Sequence, residues 1–499
     1  MRAFRLTDTA FAELAAGRPS ATTVADLRKA QISRHLLLLG ETLKLPGGKT
    51  PRWYADPPGD AARAEALADP MIALHTAATL AALRSRTAPP PDHVASPHRL
   101  NTTHDGLTLR LRLEDADPLR ARLGLTPSRQ LTAPEVADWQ RLVDEAWRLL
   151  VTRHRAAAST VAAVLRVLVP IEPDPGSAGL SATSAEAFGA VALSAPADAV
   201  SLAVGLLHET QHNLLNATRT LFDLVEPGAA PAMYSPWRED PRPPIGLLHG
   251  AYAYQAITRF WRVEGGRLAQ FEFARWRVAV VESADALLSG PYLTAAGMRF
   301  VSALRDEVSR WRDAGVDDGI ERLARDANLE HRVRWRLRNL AVETGPLVAA
   351  WRQGRRPVLP EPTLRAGGGR ALERSDRLDL VHRVLREPAG TAAPWGEGDQ
   401  SLPPGGRVRP GDAAWLRAQS GTALSAYRKR LESMRRPTHP DGPPSLREGE
   451  VWAGIALVSP RRCVRERPEV VRSLYLALGD VPLDKITIWL DGVLNPRPR

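Results

Sequence analysis

Apolar residues recur at three- and four-residue spacing along most of the chain, a pattern that predicts amphipathic α-helices. The clearest case follows Thr132-Ala-Pro-Glu135, a capping box with proline in the first turn, and its apolar face runs from Val136 to Leu150. The same spacing predicts helical faces in four further stretches: Val24–Leu43, Ile257–Leu288, Met298–Trp311 and Ile320–Val342. We interpret these stripes as helix faces that pack into a core.

Two short stretches have the composition of β-strands instead. Val164–Val169 is rich in β-branched residues and is expected to stop at Pro170, and Gly189–Ser194 is a compact apolar run. The residues between them are rich in Pro, Gly, Ser and Ala, which predicts a loop. Nearer the C-terminus, Val451–Val458 and Ile486–Leu490 are further candidate strands. The chain is therefore predicted to be mainly α (α+β), with a small sheet.

The length of 499 residues predicts more than one domain. Between Pro388 and Gly411, 11 of 24 residues are Gly or Pro, which indicates a linker or a long irregular loop. We therefore expect a helical domain over residues 1–355, a Pro/Gly-rich linker over 356–412, and a small accessory region over 413–499.

Composition narrows the class of protein. A hydrophobic content of 44% and a charged content of 25% are typical of soluble globular proteins. The first residues, Met1-Arg-Ala-Phe-Arg5, lack the apolar segment of a secretory signal, and we find no apolar run long enough for a membrane helix. A single cysteine, Cys463, excludes an intrachain disulfide framework and Cys-based zinc fingers. The expected compartment is the cytoplasm, with no membrane partner.

The formal net charge of +11 does not by itself indicate a nucleic-acid partner. Almost all of the 67 cationic residues are arginine, and they are spread along the chain among 56 acidic residues. A surface that follows a phosphate backbone would instead gather its cations into one patch or stripe. We therefore expect a solvated surface of mixed charge and no bound nucleic acid.

The candidate chemistry is concentrated in the H-E-x-x-H motif of residues 208–212. On a helix, residues four apart lie on the same face, so the imidazoles of His208 and His212 can both reach one metal ion. Glu209 can then face a bound water or a substrate, or can itself enter the coordination sphere. The motif predicts a metal site with Glu209 as its catalytic residue.

The third metal ligand decides the class of enzyme. The metzincin extension requires Gly at position 215 and His at position 218, whereas this chain has Leu215 and Thr218. His249 begins an apolar, aromatic segment 37 residues after His212, a separation that allows a helix, a turn and a return. A gluzincin would instead use a downstream glutamate, and the available ones are Glu239, Glu264, Glu272 and Glu282.

A proline-bounded loop, Tyr234-Ser-Pro-Trp-Arg-Glu-Asp-Pro-Arg-Pro-Pro244, lies between His212 and His249. Prolines fix its backbone, and Arg238 and Arg242 offer planar guanidinium groups that suit a carboxylate.

Four segments together resemble the HExxH-domain proteins of ribosomal peptide natural-product (RiPP) biosynthesis. They are Phe4-Arg-Leu6 with Leu37-Leu38-Leu39, the H-E-x-x-H motif, the Tyr234-Ser-Pro-Trp-Arg238 loop, and Leu248-His-Gly-Ala-Tyr252. The resemblance covers roughly residues 1–350, and the loop with the His249 segment is its specific part.

The resemblance implies Fe(II)- and α-ketoglutarate (2-oxoglutarate)-dependent β-hydroxylation of residues in a ribosomally made precursor peptide. It implies a fold other than the cupin or double-stranded β-helix, with the small sheet beside the metal-binding helix. Because members occur alone or fused to radical SAM peptide maturases, such a maturase is a further expected partner.

On this interpretation the iron is bound from one side by His208, His212 and His249. Its other coordination positions stay open for α-ketoglutarate and O₂. Arg242, or else Arg238, holds the distal carboxylate of the cosubstrate, with Tyr234 in the same loop. A peptide could add to the sheet as a further strand.

Two other functions remain open from the sequence. One is a zinc metallopeptidase in which Glu209 is the general base on a metal-bound water. The other is a non-catalytic, peptide-carrying member with a structural metal. A third ligand from one of the downstream glutamates, together with an exposed edge strand, would favour the peptidase, whereas His249 and the arginine-rich loop favour the hydroxylase.

Overall fold

The computed structural model describes residues 4–173, 179–228, 232–365, 375–387, 408–434 and 442–494. These residues are mainly helical, with one small mixed sheet, a two-stranded ribbon and no closed barrel. The predicted mainly α (α+β) fold is therefore confirmed, and a cupin or double-stranded β-helix is absent from the described ranges.

The helices account for most of the chain. In chain order they are α1 (Asp8–Ala15), α2 (Ala21–Lys44), α3 (Arg52–Ala55), α4 (Asp60–Leu67), α5 (Pro70–Arg84), α6 (Ala133–Arg153), α7 (Arg155–Val164), α8 (Ala199–Arg219), α9 (Pro244–Val263), α10 (Arg267–Leu288), α11 (Ala295–Ser309), α12 (Asp318–Asn339), α13 (Gly345–Arg352), α14 (Asp376–Arg386), α15 (Pro410–Leu416), α16 (Ser420–Glu432), α17 (Leu446–Val458), α18 (Arg462–Glu466), α19 (Pro468–Leu478) and α20 (Leu483–Leu494).

Most of the predicted helical faces are confirmed, and one is divided. The stripes predicted near residues 24–43, 136–150, 298–311 and 320–342 fall on α2, α6, α11 and α12. The stripe Ile257–Leu288 instead spans two helices, α9 and α10. Gly265 and Gly266 separate them, and Gly266 has a φ of +92°, a left-handed conformation that favours glycine.

The main sheet has the strand order β1-β2-β3-β5-β4. Its strands are β1 (Arg99–His104), β2 (Leu107–Leu113), β3 (Val167–Ile171), β4 (Ser181–Ala182) and β5 (Ala190–Ser194). β2, β3 and β5 run parallel, whereas β1 and β4 are antiparallel edge strands. A separate antiparallel pair joins β6 (Leu340–Ala341) and β7 (Thr363–Leu364).

The two predicted strands beside the motif are present as β3 and β5, but the expected stop at Pro170 is wrong. β3 continues to Ile171, and Pro170 lies opposite Leu193 of β5. Proline is tolerated because the pairing of β3 with β2 ends at Leu168, so no neighbouring strand needs an N–H from residue 170. On that side, the Pro170 carbonyl accepts a 3.0 Å hydrogen bond from the Ser128 N–H.

The strands predicted near the C-terminus are wrong. Val451–Val458 lies in α17 and Ile486–Leu490 lies in α20. Both are short apolar runs, and such a run has the same composition in a buried helix as in a buried strand. In α17 the run from Val451 to Ala456 is buried on every side, with Trp452 fully enclosed.

The chain divides into two compact units. Unit 1 contains Met1–Gly228, Leu248–Val263 and Val280–Arg312, and unit 2 contains Ala229–Leu247, Glu264–Ala279 and Asp313–Arg499. This division differs from the predicted boundaries at 355 and 412, because both units take residues from the first 355.

The segment predicted as a linker, 356–412, contains two helices. α14 lies within it, and α15 begins there. Leu380 and Val381 of α14 are buried in the hydrophobic core of unit 2, together with Trp452 of the predicted accessory region. Residues 366–374 and 388–407 of the predicted linker, which hold most of its Gly/Pro-rich stretch, lie outside the described residues.

In the described residues no single helix is both long and apolar enough to cross a membrane. One bent pair, α4 with α5, meets the length and composition criteria jointly, with an angle of 69° between the two helices.

Candidate metal centre

Helix α8 carries the H-E-x-x-H motif and follows directly from β5 in unit 1. Asp198 caps its first turn, where a carboxylate oxygen accepts a 2.7 Å hydrogen bond from the Ser201 N–H. Gly205 allows a close approach to the sheet, since a Cβ at this position would lie 3.3 Å from a methyl carbon of Leu193 in β5. The predicted placement of the sheet beside the H-E-x-x-H helix is therefore confirmed.

Asn213 fixes the motif to the start of β5. Its amide oxygen accepts a 2.7 Å hydrogen bond from the Gly189 N–H, and its amide nitrogen donates a 3.0 Å bond to the Glu209 carbonyl. Gly189 has a φ of +97°, and a Cβ there would lie 2.8 Å from the Val164 carbonyl oxygen. Asn213 therefore joins the start of β5, where only glycine fits, to the helix turn that holds Glu209.

We expect Asn213→Ala to lower the free energy of unfolding by about 1–3 kcal/mol, because it leaves the buried Gly189 N–H without its acceptor. The measurement is urea unfolding of the full chain with a chelator present, so that bound metal does not contribute. Asn216→Ala, on the same helix and only half-buried, is the matched control and should change stability by less than about 0.5 kcal/mol. Equal losses in the two variants would contradict the anchoring role.

The two motif histidines lie side by side. The Nε2 atoms of His208 and His212 are 3.0 Å apart, and their rings meet edge to face. Burial lowers the pKa of His208 to about 4. Burial, followed by the charges of His208 and His249, lowers the pKa of His212 well below its ordinary value. Both imidazoles are therefore neutral near pH 7, the form that binds a metal.

Glu209 completes a group of metal-ligand atoms with these histidines. One atom from each of His208, Glu209 and His212 lies within 4.8 Å of the others, and Glu209 Oε1 is 3.9 Å from His208 Nε2. The side chain is 1% exposed, and its Oε2 has no hydrogen-bond partner among the described residues. Burial raises the pKa of Glu209 to about 7, against the opposing effect of hydrogen bonds from Ser181 and Thr183.

The structure brings His249 to the same place, but to the other side of His212. His249 lies in α9, and its Nδ1 is 3.3 Å from Nδ1 of His212, whereas Nε2 of His212 faces His208. A metal bound by the two Nε2 atoms would thus have His249 behind His212, in the position of a hydrogen-bond partner that orients a ligand. Coordination by His249 requires a different side-chain rotamer and stays a prediction.

Two further residues contact the histidines. The first of them, Arg219, was not identified from the sequence as a site residue. Nη1 of Arg219 lies 3.5 Å from Nε2 of His249, at the end of α8. A sequence signal for it exists, because Arg219 follows His212 by seven residues, or two helical turns, on the same face. The ring of Tyr254, on α9, packs edge to face on His208.

Tyr252, two residues before Tyr254 on α9, belongs to the core of unit 1. Its hydroxyl donates a 2.6 Å hydrogen bond to the Leu14 carbonyl, and its ring packs on Phe300. Burial raises the pKa of its hydroxyl. These contacts of Tyr252 therefore stabilise the packing of α9 against α1 and α11.

The proline-bounded loop lies in unit 2. Met233 and Arg242 close it through two backbone hydrogen bonds of 2.7 and 3.0 Å. The Arg238 guanidinium donates bonds of 2.8 and 2.6 Å to one oxygen of Asp240, whereas Arg242 makes one contact of 3.4 Å to the other oxygen. The hydroxyl of Tyr234 lies 2.9 Å from Nδ1 of His331. Cosubstrate binding by Tyr234, Arg238 and Arg242 stays a prediction, with Arg238 the more firmly paired of the two arginines.

The downstream glutamates considered for a gluzincin site have other surroundings. Glu239 is paired with Arg334 and Arg338. Glu272 is paired with His382 at 2.8 Å, and Glu282 is exposed. Among the described residues, the carboxylate that lies with the two motif histidines is that of Glu209.

Comparison with known proteins gives no match, either to a model of a protein family or to a curated protein sequence. The resemblance to the HExxH-domain proteins therefore rests on the motifs described above, and the activity it implies is a proposal.

Proposed function

We propose that this chain is an Fe(II)- and α-ketoglutarate-dependent hydroxylase that acts on a β-carbon in a ribosomally made peptide. The observation that supports it most is the group of two half-buried imidazoles and one buried carboxylate on α8. Two histidines and one carboxylate are the usual ligand set of non-haem Fe(II) oxygenases.

The residues present fit a divalent metal of this kind. Two metal–nitrogen bonds of about 2.1 Å place the two nitrogens about 3.0–3.4 Å apart, depending on the angle between the bonds. The separation of 3.0 Å between the Nε2 atoms lies in this range, so both imidazoles can reach one ion. Such a pair suits Fe(II) as well as Zn²⁺.

The bound iron would supply the redox chemistry, since α-ketoglutarate and O₂ together give the hydroxylated product, succinate and CO₂. The protein's own residues would bind the metal, orient its ligands and exclude water. Tyr254 covers one side of His208, and the burial of Glu209 limits access of water. The carboxylate of Glu209 would serve as the third ligand, and His249 would orient His212 through the nitrogen that does not bind the metal.

The edge strand β4 provides a place for the peptide. Ser181 and Thr183, at this edge, contact Glu209, and β4 has β5 as its partner on one side. A peptide that adds to the other side would present its side chains one after another beside the metal without a fixed sequence.

We expect Arg242 to hold the distal carboxylate of α-ketoglutarate, as the sequence indicates. Arg242→Leu should raise the apparent KM for α-ketoglutarate more than that for the peptide, because one charge-assisted contact is lost. Steady-state kinetics with each substrate varied in turn provide the test.

Arg242→Lys, which keeps the charge, should recover part of the loss. Arg219→Leu is the comparison variant, since Arg219 contacts His249 on the side of His212 away from its Nε2 atom. A larger and equally selective effect at Arg219 would assign the cosubstrate to that residue, and equal effects of Arg242→Leu on both substrates would indicate a structural role.

A zinc metallopeptidase is the second candidate, and Glu209 supports it. A buried glutamate beside two metal-binding histidines, with its pKa raised to about 7, has the protonation range of a general base for a metal-bound water. The β4 edge strand would suit a peptidase substrate equally well. The mass of the product separates the two functions, because oxygen insertion adds about 16 mass units whereas hydrolysis cuts the chain.

A further inference from the structure

The turn that follows β2 contains three acidic side chains that are almost completely buried. Glu114 and Asp117 are 0% exposed and Asp115 is 2% exposed. Burial of a charged carboxylate is costly unless hydrogen bonds and a counter-charge compensate it. The partners of each carboxylate therefore indicate what the turn is built to hold.

Two of the three have ordinary protein partners. Glu114 pairs with the Arg112 guanidinium at 2.8 Å and accepts hydrogen bonds from the N–H groups of Ser96, Ala116 and Asp117. Asp115 accepts a 2.8 Å bond from the Leu131 N–H and lies 3.6 Å from His98.

Asp117 is different, because its ionic partners in the described structure are two imidazoles. Its Oδ2 lies 2.5 Å from Nδ1 of His93 and 3.0 Å from Nε2 of His75. Its Oδ1 lies 3.0 Å from the same His75 nitrogen and accepts a 2.8 Å bond from the Leu119 N–H. Two ring nitrogens thus converge on one carboxylate, and one atom from each of the three residues lies within 4.8 Å of the others.

We propose that His75, His93 and Asp117 form a second site for a divalent transition metal, separate from the histidines of α8. Two imidazole nitrogens and one carboxylate oxygen are a common donor set for Zn²⁺ and similar ions. A divalent ion would also supply the positive charge that Arg112 supplies to Glu114.

The position of the three residues suggests what this metal does. His75 lies on α5, Asp117 follows β2, and His93 lies between them in the segment 85–98, which has no helix or strand. A metal held by all three would fasten this irregular segment to the helix and to the sheet. His93 is 19% exposed at its side chain, which gives the ion a route from solvent. The site therefore has the features of a structural clamp, and it does not depend on the proposed hydroxylase activity.

Metal stoichiometry of the full chain tests the proposal. The protein is stripped with a chelator and titrated with Co²⁺, whose visible absorption reports coordination, and bound metal is counted by elemental analysis. Wild-type protein should bind about two ions per chain, and His93→Ala about one. His208→Ala should also bind about one, and the double variant none. His98→Ala, which removes the neighbouring histidine paired with Asp115, is the matched control and should still bind two.

A second variant guards against a simple folding defect. His93→Cys should keep the ion and add a sulfur-to-cobalt charge-transfer band, because thiolate is an equally good ligand at that position. A folded His93→Ala protein that binds as much metal as wild type would overturn the proposal, as would a His93→Cys protein without the new band. Loss of metal in His93→Ala but not in His208→Ala would support this site and contradict the proposed iron site, so the two can fail separately.

Discussion

His212→Ala should remove the metal from the α8 site and abolish any metal-dependent activity there. Its Nε2 lies 3.0 Å from that of His208, and no other imidazole occupies the same position among the described residues. Loss of an orienting partner alone costs about 10–100-fold in metal affinity, so loss of a ligand should cost more than about 100-fold. Competition with a chelator of known affinity, on protein that retains its helical circular dichroism, measures the change.

His249→Ala determines which role His249 has. If it orients His212 through the 3.3 Å contact between their Nδ1 atoms, affinity should fall by about 10–100-fold and the remaining metal should still support turnover. A loss as large as that of His212→Ala would make His249 a ligand. His104→Ala, a change of a surface histidine that contacts Thr152, is the control and should leave affinity unchanged. For the His212→Ala variant of the preceding prediction, full retention of metal would contradict the proposed metal site on α8.

The geometry of the motif could be predicted because it depends on local periodicity. Four-residue spacing on a helix brings His208 and His212 together, and Asp198 caps the first turn of that helix with a residue type that is common at this position. The proximity of His249 to the motif could also be predicted, because its segment was expected to form a helix that returns to the motif. Which nitrogen of His212 it meets depends on the packing of α9 against α8, which no residue spacing encodes.

The hairpin of β1 and β2 had a sequence signal that the prediction did not use. Asp105 and Gly106 both have positive φ, 44° and 73°, and form the two-residue turn between β1 and β2. An Asp-Gly pair between alternating residues is a strong hairpin signal, so this element was predictable. The tail helices α17 and α20 were not, because their short apolar runs do not distinguish a buried helix from a strand.

The cluster of His75, His93 and Asp117 could not be found from the sequence. Its members are separated by 17 or more residues and lie on a helix, an irregular segment and a strand end, so no motif contains them. Only the fold brings them together. Helix α5 packs on the sheet through Met71 and Leu74, and this contact places His75 beside the end of β2.

The second prediction with a large expected effect concerns the proposed reaction. The purified protein, with Fe(II), α-ketoglutarate, O₂ and a co-encoded precursor peptide, should add about 16 mass units to the peptide, which corresponds to one oxygen atom. The gain should require α-ketoglutarate and should vanish when Zn²⁺ replaces Fe(II), because zinc has no redox chemistry. Intact-mass spectrometry followed by fragmentation locates the oxygen, which we expect on a β-carbon.

Glu209→Gln makes this test decisive between the two candidate functions. The substitution keeps the size of the side chain but removes the carboxylate that is buried beside His208. In a hydroxylase it should weaken Fe(II) binding and lower the yield of the +16 product, and excess Fe(II) should recover part of that yield because the amide oxygen is still a weak ligand. In a peptidase the same change removes the general base, so extra metal should recover nothing. Zinc-dependent cleavage of the peptide without α-ketoglutarate, lost completely in Glu209→Gln, would replace the hydroxylase by the metallopeptidase.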